Sequence, residues 1–154
     1  STVTGIAGKK HFIAINIEKS MMNNELGFAR KVLEVIEKNG LGIEHMPSGI
    51  DTLSVVIDGS NHDEDALERI VEGIKKVCQP DTIDVERNLA LIAVVGHGMS
   101  RKKGTAQKVC NSLYEADVNI RMIDQGSSEL NIIIGVENKD YEKAISALYK
   151  EFLS

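Results

Sequence analysis

The sequence predicts an α+β protein made of two copies of one unit. The first observation is an internal repeat, in which residues 27–57 and 104–134 align without a gap at an offset of 77 (104 − 27). The second is that apolar patterns typical of strands and helices follow one another in the same order in both copies. A repeat of this length duplicates a whole supersecondary unit, so the function should lie in a pair of similar modules and in their differences. The identical pairs are Gly27/Gly104, Ala29/Ala106, Lys31/Lys108, Val32/Val109, Ile43/Ile120, Gly49/Gly126 and Leu53/Leu130.

Each element of the first copy has its own local signal. Alternation of β-branched residues predicts a strand over 12–17, and helical spacing of apolar residues predicts a helix over 25–39, which Gly40 ends. Strands over 41–46 and 52–57, joined by a turn at 47–49, predict a hairpin. A helix over 66–77 stops before Pro80, and a short strand follows at 82–85.

The second copy repeats this order but stops one strand short. Its predicted elements are a strand at 89–95, a helix at 104–116, strands at 118–123 and 130–136 separated by a turn at Gly126, and a helix at 141–152. The first copy has the ferredoxin-like order βαββαβ. Residues 2–7 form an apolar, strand-like segment that the first copy does not need. We therefore predict two ferredoxin-like modules, with the first (10–87) inserted in the second (1–9 plus 88–154), whose sheet the N-terminal strand completes.

Composition excludes several classes of function. The net charge of −5 and the scarcity of aromatic residues give no footprint for nucleic acid. The longest apolar run, 89–95, is too short for a membrane span, and no signal-peptide segment is found, so a cytoplasmic protein is expected. Modules of about 75 residues bury little core alone, so a homodimer is expected. Cys78 and Cys110 lack CxxC spacing and are expected to be free thiols.

No catalytic or metal-binding constellation is found in the sequence. The four histidines, at 11, 45, 62 and 97, lie in separate elements without metal-ligand spacing. The glycine-rich segment 96–104 lies between a strand and a helix, but it lacks the Walker pattern, and Arg101 breaks the spacing GxGxxG. We interpret it as a strand-to-helix loop in which glycine allows backbone conformations that other residues avoid.

The loops before the first helix of each copy favour a small zwitterionic ligand. A helix N-terminus can hold a carboxylate, and the loop at 18–26 supplies Ser20, Asn23 and Asn24 for hydrogen bonds. The copies differ at Glu44 and Arg121, which occupy the same place in the repeat, so only the first copy offers an anion for an ammonium group there. The alternative is that Glu44 is simply an exposed strand residue paired with a lysine.

These motifs resemble the regulatory region of aspartate kinase, a tandem pair of ACT domains. Residues 119–132 are similar to the family block "NI.MI.QGSSE.NI", and residues 95–99 are similar to its "VG.GM" loop. In the first copy, residues 20–28 and 45–51 resemble the effector-side segments of the family. The family's catalytic motif "K.GGTS" has no counterpart, and GTAQKV at Gly104 replaces the more usual "GVAA.V". The resemblance therefore implies a regulatory fragment or subunit without catalytic residues of its own.

The resemblance also implies a function and a site. The parent enzyme would use ATP and Mg to phosphorylate L-aspartate, whereas this chain would need no cofactor. An end-product amino acid, lysine or else threonine, would bind at the seam of a homodimer and act on the partner catalytic domain. The expected role of Glu44 is to meet the effector's ammonium group, and the second module, with Arg121 and the QGSSE turn, would mainly build the dimer. The effector residues that the resemblance implies are Met22, Asn24, Gly27, Phe28, Ala29, Ile43, Glu44, Ser48 and Asp51.

Two other hypotheses stay open at this point. One is a structural dimerisation module that binds no small molecule, which substitution of Glu44 by alanine would distinguish from an effector site. The other is a small independent enzyme on a ferredoxin-like fold, such as an acylphosphatase-type hydrolase. That enzyme would need a catalytic arginine and asparagine in loops, and the repeat shows no such asymmetry.

Overall fold

The computed structural model describes residues 3–60, 63–97, 104–125 and 131–154 of the 154-residue chain. Within these residues the chain forms six strands, four α-helices and two short 3-10 turns, at Met22–Asn24 and Asn138–Asp140. The strands are β1 (Val3–Glu18), β2 (Ile43–His45), β3 (Thr52–Asp58), β4 (Thr82–Gly96), β5 (Met122–Gln125) and β6 (Asn131–Glu137). The helices are α1 (Phe28–Lys38), α2 (Glu64–Cys78), α3 (Thr105–Glu115) and α4 (Tyr141–Phe152).

The chain separates into two compact units that are nested in sequence. The first module comprises His11–Arg87, and the second comprises Ser1–Lys10 together with Asn88–Ser154. The predicted arrangement, an α+β fold with one ferredoxin-like module inserted in the other, is confirmed. Lys10 belongs to the second module, whereas the sequence-based border assigned it to the first.

The first module has the strand order β2-β3-β1-β4. Strands β1 and β3 are antiparallel, with Phe12 opposite Asp58 and Glu18 opposite Thr52. The core contains fully buried residues from both sheet and helices, among them Ile15, Val55, Ile36 and Ile70. This follows from the period-2 pattern of the strands and the amphipathic pattern of α1 and α2.

The second module has the strand order β5-β6-β4-β1, so the N-terminal half of β1 occupies the place of the missing sixth strand. Val3 is buried in the same core as Ile92, Ile134 and Leu113. The Thr4 hydroxyl donates to the Val95 carbonyl, 3.3 Å away, which ties β1 to β4.

Two pairs of predicted strands are each one continuous strand. Residues 2–7 and 12–17 were expected to be separate but both fall in β1, and 82–85 and 89–95 both fall in β4. Each strand passes from one unit to the other at a left-handed residue, His11 (φ 72°) or Asn88 (φ 62°). A left-handed residue is typical of β-bulges, which bend a strand without ending it, and this explains the continuity.

Three predicted ends also differ from the structure. Helix α1 begins at Phe28 instead of residue 25, because Gly27 is left-handed (φ 76°) and follows the 3-10 turn. Strands β2 and β5 begin later than predicted, because the amides of Leu41 and Val118 donate back to carbonyls at the ends of α1 and α3. The predicted turn at Gly126, the start of the strand at Leu130 and most of the loop at 96–104 lie outside the described residues.

Candidate functional site

A cavity of about 310 Å³ opens at the start of α1 in the first module. One wall comes from the loop after β1 and the first turn of α1, and the other from the β2–β3 hairpin. The volume is at the lower end of the range typical of small-molecule sites, which suits a ligand no larger than an amino acid. The lining residues are Met22, Glu25, Gly27, Phe28, Ala29, Arg30, Met46, Ser48, Gly49 and Leu53.

The loop that forms the first wall is held by two aspartates. The Asp51 carbonyl accepts from the Lys19 amide (3.0 Å), and its carboxylate accepts from the Met21 amide (3.1 Å). The Asp81 carboxylate accepts from the Ser20 amide (2.7 Å), and this bond lowers the pKa of Asp81. The loop is therefore fixed by residues that precede β3 and β4.

A second set of contacts fixes Glu25 inside this loop. The Lys19 ammonium donates to Glu25 Oε1 (2.8 Å) and to the Cys78 carbonyl at the end of α2 (2.6 Å). It also lies 5.5 Å from the centre of the Phe28 ring. Carbonyls at a helix C-terminus favour a cation, so Lys19 has two acceptors that hold it in place.

Glu25 is ionised and only partly satisfied. Its hydrogen bond with Lys19 lowers the pKa of the carboxyl group, although burial acts in the opposite direction. Its other oxygen, Oε2, is buried and has no hydrogen-bond partner among the residues that the structure describes. Burial raises the pKa of the neighbouring Cys78 thiol, and the charge of Glu25 adds to this effect.

The start of α1 gives the cavity a partly positive end, opposite in charge to the Glu25 carboxylate. Gly27 is the N-cap and has no side chain with which to satisfy the first amides of the helix. The exposed Ala29 and Arg30 in this first turn line the cavity. A helix N-terminus attracts a carboxylate, so the cavity combines a site for an anion with a carboxylate that can bind a cation.

The structure brings together five of the nine sequence-predicted site residues, since Met22, Gly27, Phe28, Ala29 and Ser48 all line the cavity. Of these, Met22 and Phe28 are buried, and they form apolar surface beside the polar groups.

The other four predicted residues lie elsewhere. Asp51 positions the loop, and Asn24 is exposed in the 3-10 turn, where its amide donates to the Met21 carbonyl. Ile43 and Glu44 are exposed on β2, outside the lining of the cavity. A role for Glu44 in meeting an ammonium group therefore stays a prediction.

Sequence reasoning missed Arg30, Met46 and Leu53 as lining residues and gave the Glu25 side chain no role. Glu25 was placed where the predicted loop (18–26) and the predicted helix (25–39) overlap, so its side chain was given no ligand contact. Gly27 was the available signal, because a glycine just before a helical pattern can be the N-cap and so leave Glu25 in the loop.

In the second module, the structure describes only part of the region that corresponds to this cavity. Gly104 is left-handed (φ 88°) and caps α3 without a side chain, as Gly27 caps α1. The preceding residues 98–103 and the QGSSE turn after Gln125 lie outside the described residues. Arg121 is exposed, and its amide donates to the Gly135 carbonyl (2.7 Å).

The described part of the chain shows neither a metal site, nor a disulfide, nor a membrane-spanning helix. There, no group of three or more histidine, cysteine, aspartate or glutamate side chains is arranged to hold a metal ion. The two cysteines are free, Cys78 buried and Cys110 exposed. No helix in residues 3–60, 63–97, 104–125 or 131–154 is long and apolar enough to cross a membrane.

Sequence comparison finds relatives of this chain among known proteins. A family model described as an ACT domain matches residues 92–152. The chain is 41% identical to aspartokinase 3 of Bacillus subtilis over 99% of its own length and 34% of that protein. It therefore spans about a third of the length of this curated relative.

Solved structures extend the similarity to the fold. Aspartate kinase of Clostridium acetobutylicum, described as an allosteric enzyme, matches with a TM-score of 0.89 and 52% identity over 98% of this chain and 34% of that one. Aspartokinase III of Escherichia coli, solved with lysine and aspartate, matches with a TM-score of 0.79 over 99% of this chain and 34% of that one. At 19% identity, the second match shows a common fold only.

Proposed function

We propose that this chain, which is similar over nearly its whole length to regulatory regions of aspartate kinases, is a tandem ACT-domain regulatory region and that its first module binds an amino-acid effector. The observation that carries the proposal is the cavity at the start of α1, with an uncapped helix N-terminus and a carboxylate in one lining. These are the two complementary groups that a free amino acid needs.

The proposed binding mode follows from the chemistry of the lining. The effector's α-carboxylate would accept hydrogen bonds from the first amides of α1. Its aliphatic portion would lie against Met22, Phe28 and Leu53, which are all buried. Its ammonium group would lie against Glu25, the acidic residue of the lining.

Lysine is the effector that we favour. It carries two ammonium groups, and the module offers Glu25 in the lining and Glu44 on β2, two residues before the lining residue Met46. Threonine has one ammonium group and could meet only one of these two carboxylates. Threonine remains the second candidate, since its smaller side chain also fits a cavity of about 310 Å³.

We further propose that a second copy of the chain covers this face of the first module. Three large apolar side chains beside the cavity are exposed: Met21 (66%), Leu26 (96%) and Ile50 (75%). Apolar groups exposed together around a cavity are typical of interaction surfaces. A homodimer through the first modules would bury them and close the cavity over its ligand.

The proposed mechanism in the parent enzyme is feedback inhibition of the transfer of phosphate from ATP to L-aspartate. The effector would shift the enzyme between states only by its differential affinity for them, and couplings of about 1–3 kcal/mol are typical. A modest affinity for lysine would therefore be sufficient.

Isothermal titration of the chain with lysine, threonine, methionine and aspartate tests this function. Saturable binding of lysine, with threonine weaker or absent, is the expected result. Binding of threonine alone would overturn the choice of lysine but keep an effector site. A folded dimer that binds none of the four would instead support the structural dimerisation module.

A further inference from the structure

Glu25 is firmly held on one side and unsatisfied on the other. Oε1 accepts from the Lys19 ammonium, but Oε2 is buried without a hydrogen-bond partner among the described residues. Buried carboxylate oxygens nearly always have a partner, because desolvation without one is costly. Glu25 itself lines the cavity, so a ligand bound there lies against this side chain.

Lys19 donates to Oε1 of Glu25 and not to Oε2. Its ammonium is also bonded to the Cys78 carbonyl (2.6 Å) and lies against the Phe28 ring. The pair is partly buried, with side chains 20% (Lys19) and 31% (Glu25) exposed. Lys19 therefore fixes the direction of the Glu25 carboxylate and leaves one oxygen for a ligand.

We infer that Glu25 Oε2 accepts a hydrogen bond from a primary ammonium group of the bound amino acid, and that Lys19 is the positioning residue for this contact. This inference rests on the proposed function of the cavity. It assigns the recognition of the cation to Glu25 in the loop, in preference to Glu44, which is exposed on β2.

The charges are consistent with this assignment. Lys19 and Glu25 together are neutral, so the ammonium group enters a site that carries no net charge. The ligand's own carboxylate, bound at the start of α1, then balances the positive charge of the ligand's ammonium group. A molecule with both groups is thus favoured over a simple cation.

Binding of L-lysine to Glu25→Gln tests the inference. Glutamine keeps an oxygen for Lys19 but removes the charge and can place an N–H group where the ammonium would donate. We expect the Kd for lysine to rise by about tenfold or more, as loss of a charged hydrogen bond implies. Glu37→Gln, at an exposed position on α1, is the matched control and should change the Kd by less than about twofold.

Two analogues identify which ammonium group is recognised. Norleucine lacks the ε-ammonium group and 6-aminohexanoate lacks the α-ammonium group. The analogue without the contacting group should bind the native chain and Glu25→Gln equally, whereas the other should lose affinity in the variant. Equal binding of lysine by the native chain and Glu25→Gln, with both folded, would overturn the inference while the proposed function stands.

Two substitutions of Lys19 test its positioning role. Lys19→Arg can still bridge Glu25 and the Cys78 carbonyl. It should therefore retain the preference for lysine over the analogue that lacks the contacting ammonium group. Lys19→Met should reduce that preference without changing the affinity for the analogue, which a general loss of stability would not do. If neither lysine nor any other amino acid bound the native chain, the proposed function would fail first, and the inference with it.

Discussion

At the scale of single residues, Lys19 joins three parts of the first module. Its ammonium connects the loop residue Glu25 with the C-terminus of α2 and lies beside Phe28 of α1. Removal of one partner from such a pair leaves the other partly buried and unpaired. The pair therefore matters for stability as well as for the proposed ligand.

The pKa of Glu25 predicts a dependence of this contribution on pH. Because the folded-state pKa lies below the unfolded value, the stabilisation is fully present above the unfolded pKa of about 4.3 and is lost as the pH falls through the folded pKa. Lys19→Met should thus lower the free energy of unfolding at about pH 6, and the difference from the native chain should shrink towards about pH 3.

Urea unfolding of both proteins across this range measures the difference. Glu142 also has a lowered pKa, but Lys19 does not contribute to it, so its effect cancels. The charge of Lys19 also helps to lower the pKa of Asp81, so Asp81 adds to the difference in the same direction. A difference that does not change with pH would contradict the role assigned to the ion pair.

A second prediction at this scale concerns Asn88. Its backbone is left-handed (φ 62°), which asparagine tolerates and β-branched residues do not. Asn88→Val should therefore destabilise the chain by about 1–2 kcal/mol in chemical denaturation. Asn88→Gly is the control and should be at least as stable as the native chain, and equal stability of the valine and glycine variants would refute this explanation.

At the scale of elements, β1 and β4 are the strands that both modules share. Each continues through a left-handed residue, and these residues, His11 and Asn88, are separated by the same 77 positions as the sequence repeat (88 − 11). This left-handed position is thus a feature of the duplicated unit. It explains why alternation by itself divided each strand into two.

Packing of α4 on β1 predicts that Gly8 tolerates no side chain. A Cβ atom there would lie 2.7 Å from the Tyr141 ring and 2.9 Å from the Leu91 carbonyl oxygen. Gly8→Ala should therefore destabilise the second module by about 1–3 kcal/mol. Gly5→Ala, in the same strand, has open space around its Cβ and is the matched control in thermal unfolding.

If Gly8→Ala were as stable as Gly5→Ala, the N-terminal strand would not pack beneath α4 as described. The result would then argue against its place in the second module.

At the scale of the whole molecule, binding and assembly should both involve the first module. Lysine at about one hundred times its Kd should stabilise the folded state by about 2.7 kcal/mol, because only that state contains the cavity. Scanning calorimetry with and without lysine measures the shift, and aspartate serves as the control. An unchanged transition under saturating lysine would contradict specific binding to the folded state.

The proposed dimer predicts a further effect. Leu26 is 96% exposed, so Leu26→Glu should leave the folded module intact and shift the chain towards monomer in analytical ultracentrifugation. Tyr114→Glu, at an exposed apolar position on α3 of the second module, is the matched control and should remain dimeric. Dissociation by Tyr114→Glu alone would move the seam to the second module.

The sequence by itself determined the duplication, the type and order of every helix, and the nesting of one module in the other. These follow from patterns that are local or that repeat along the chain: apolar periodicity, glycine after helices and a strand-like N-terminus without a partner. The family resemblance also pointed to five residues of the cavity, four around the start of α1 and Ser48 in the hairpin turn.

Tertiary structure decided what the periodicity leaves undefined. The continuity of β1 and β4 depends on backbone angles at His11 and Asn88, which apolar periodicity does not report. The cavity joins a loop to a hairpin about 20 residues further along the chain, and Lys19 meets a carbonyl 59 residues away. The unsatisfied oxygen of Glu25 is therefore a property of packing between distant segments, which no local pattern specifies.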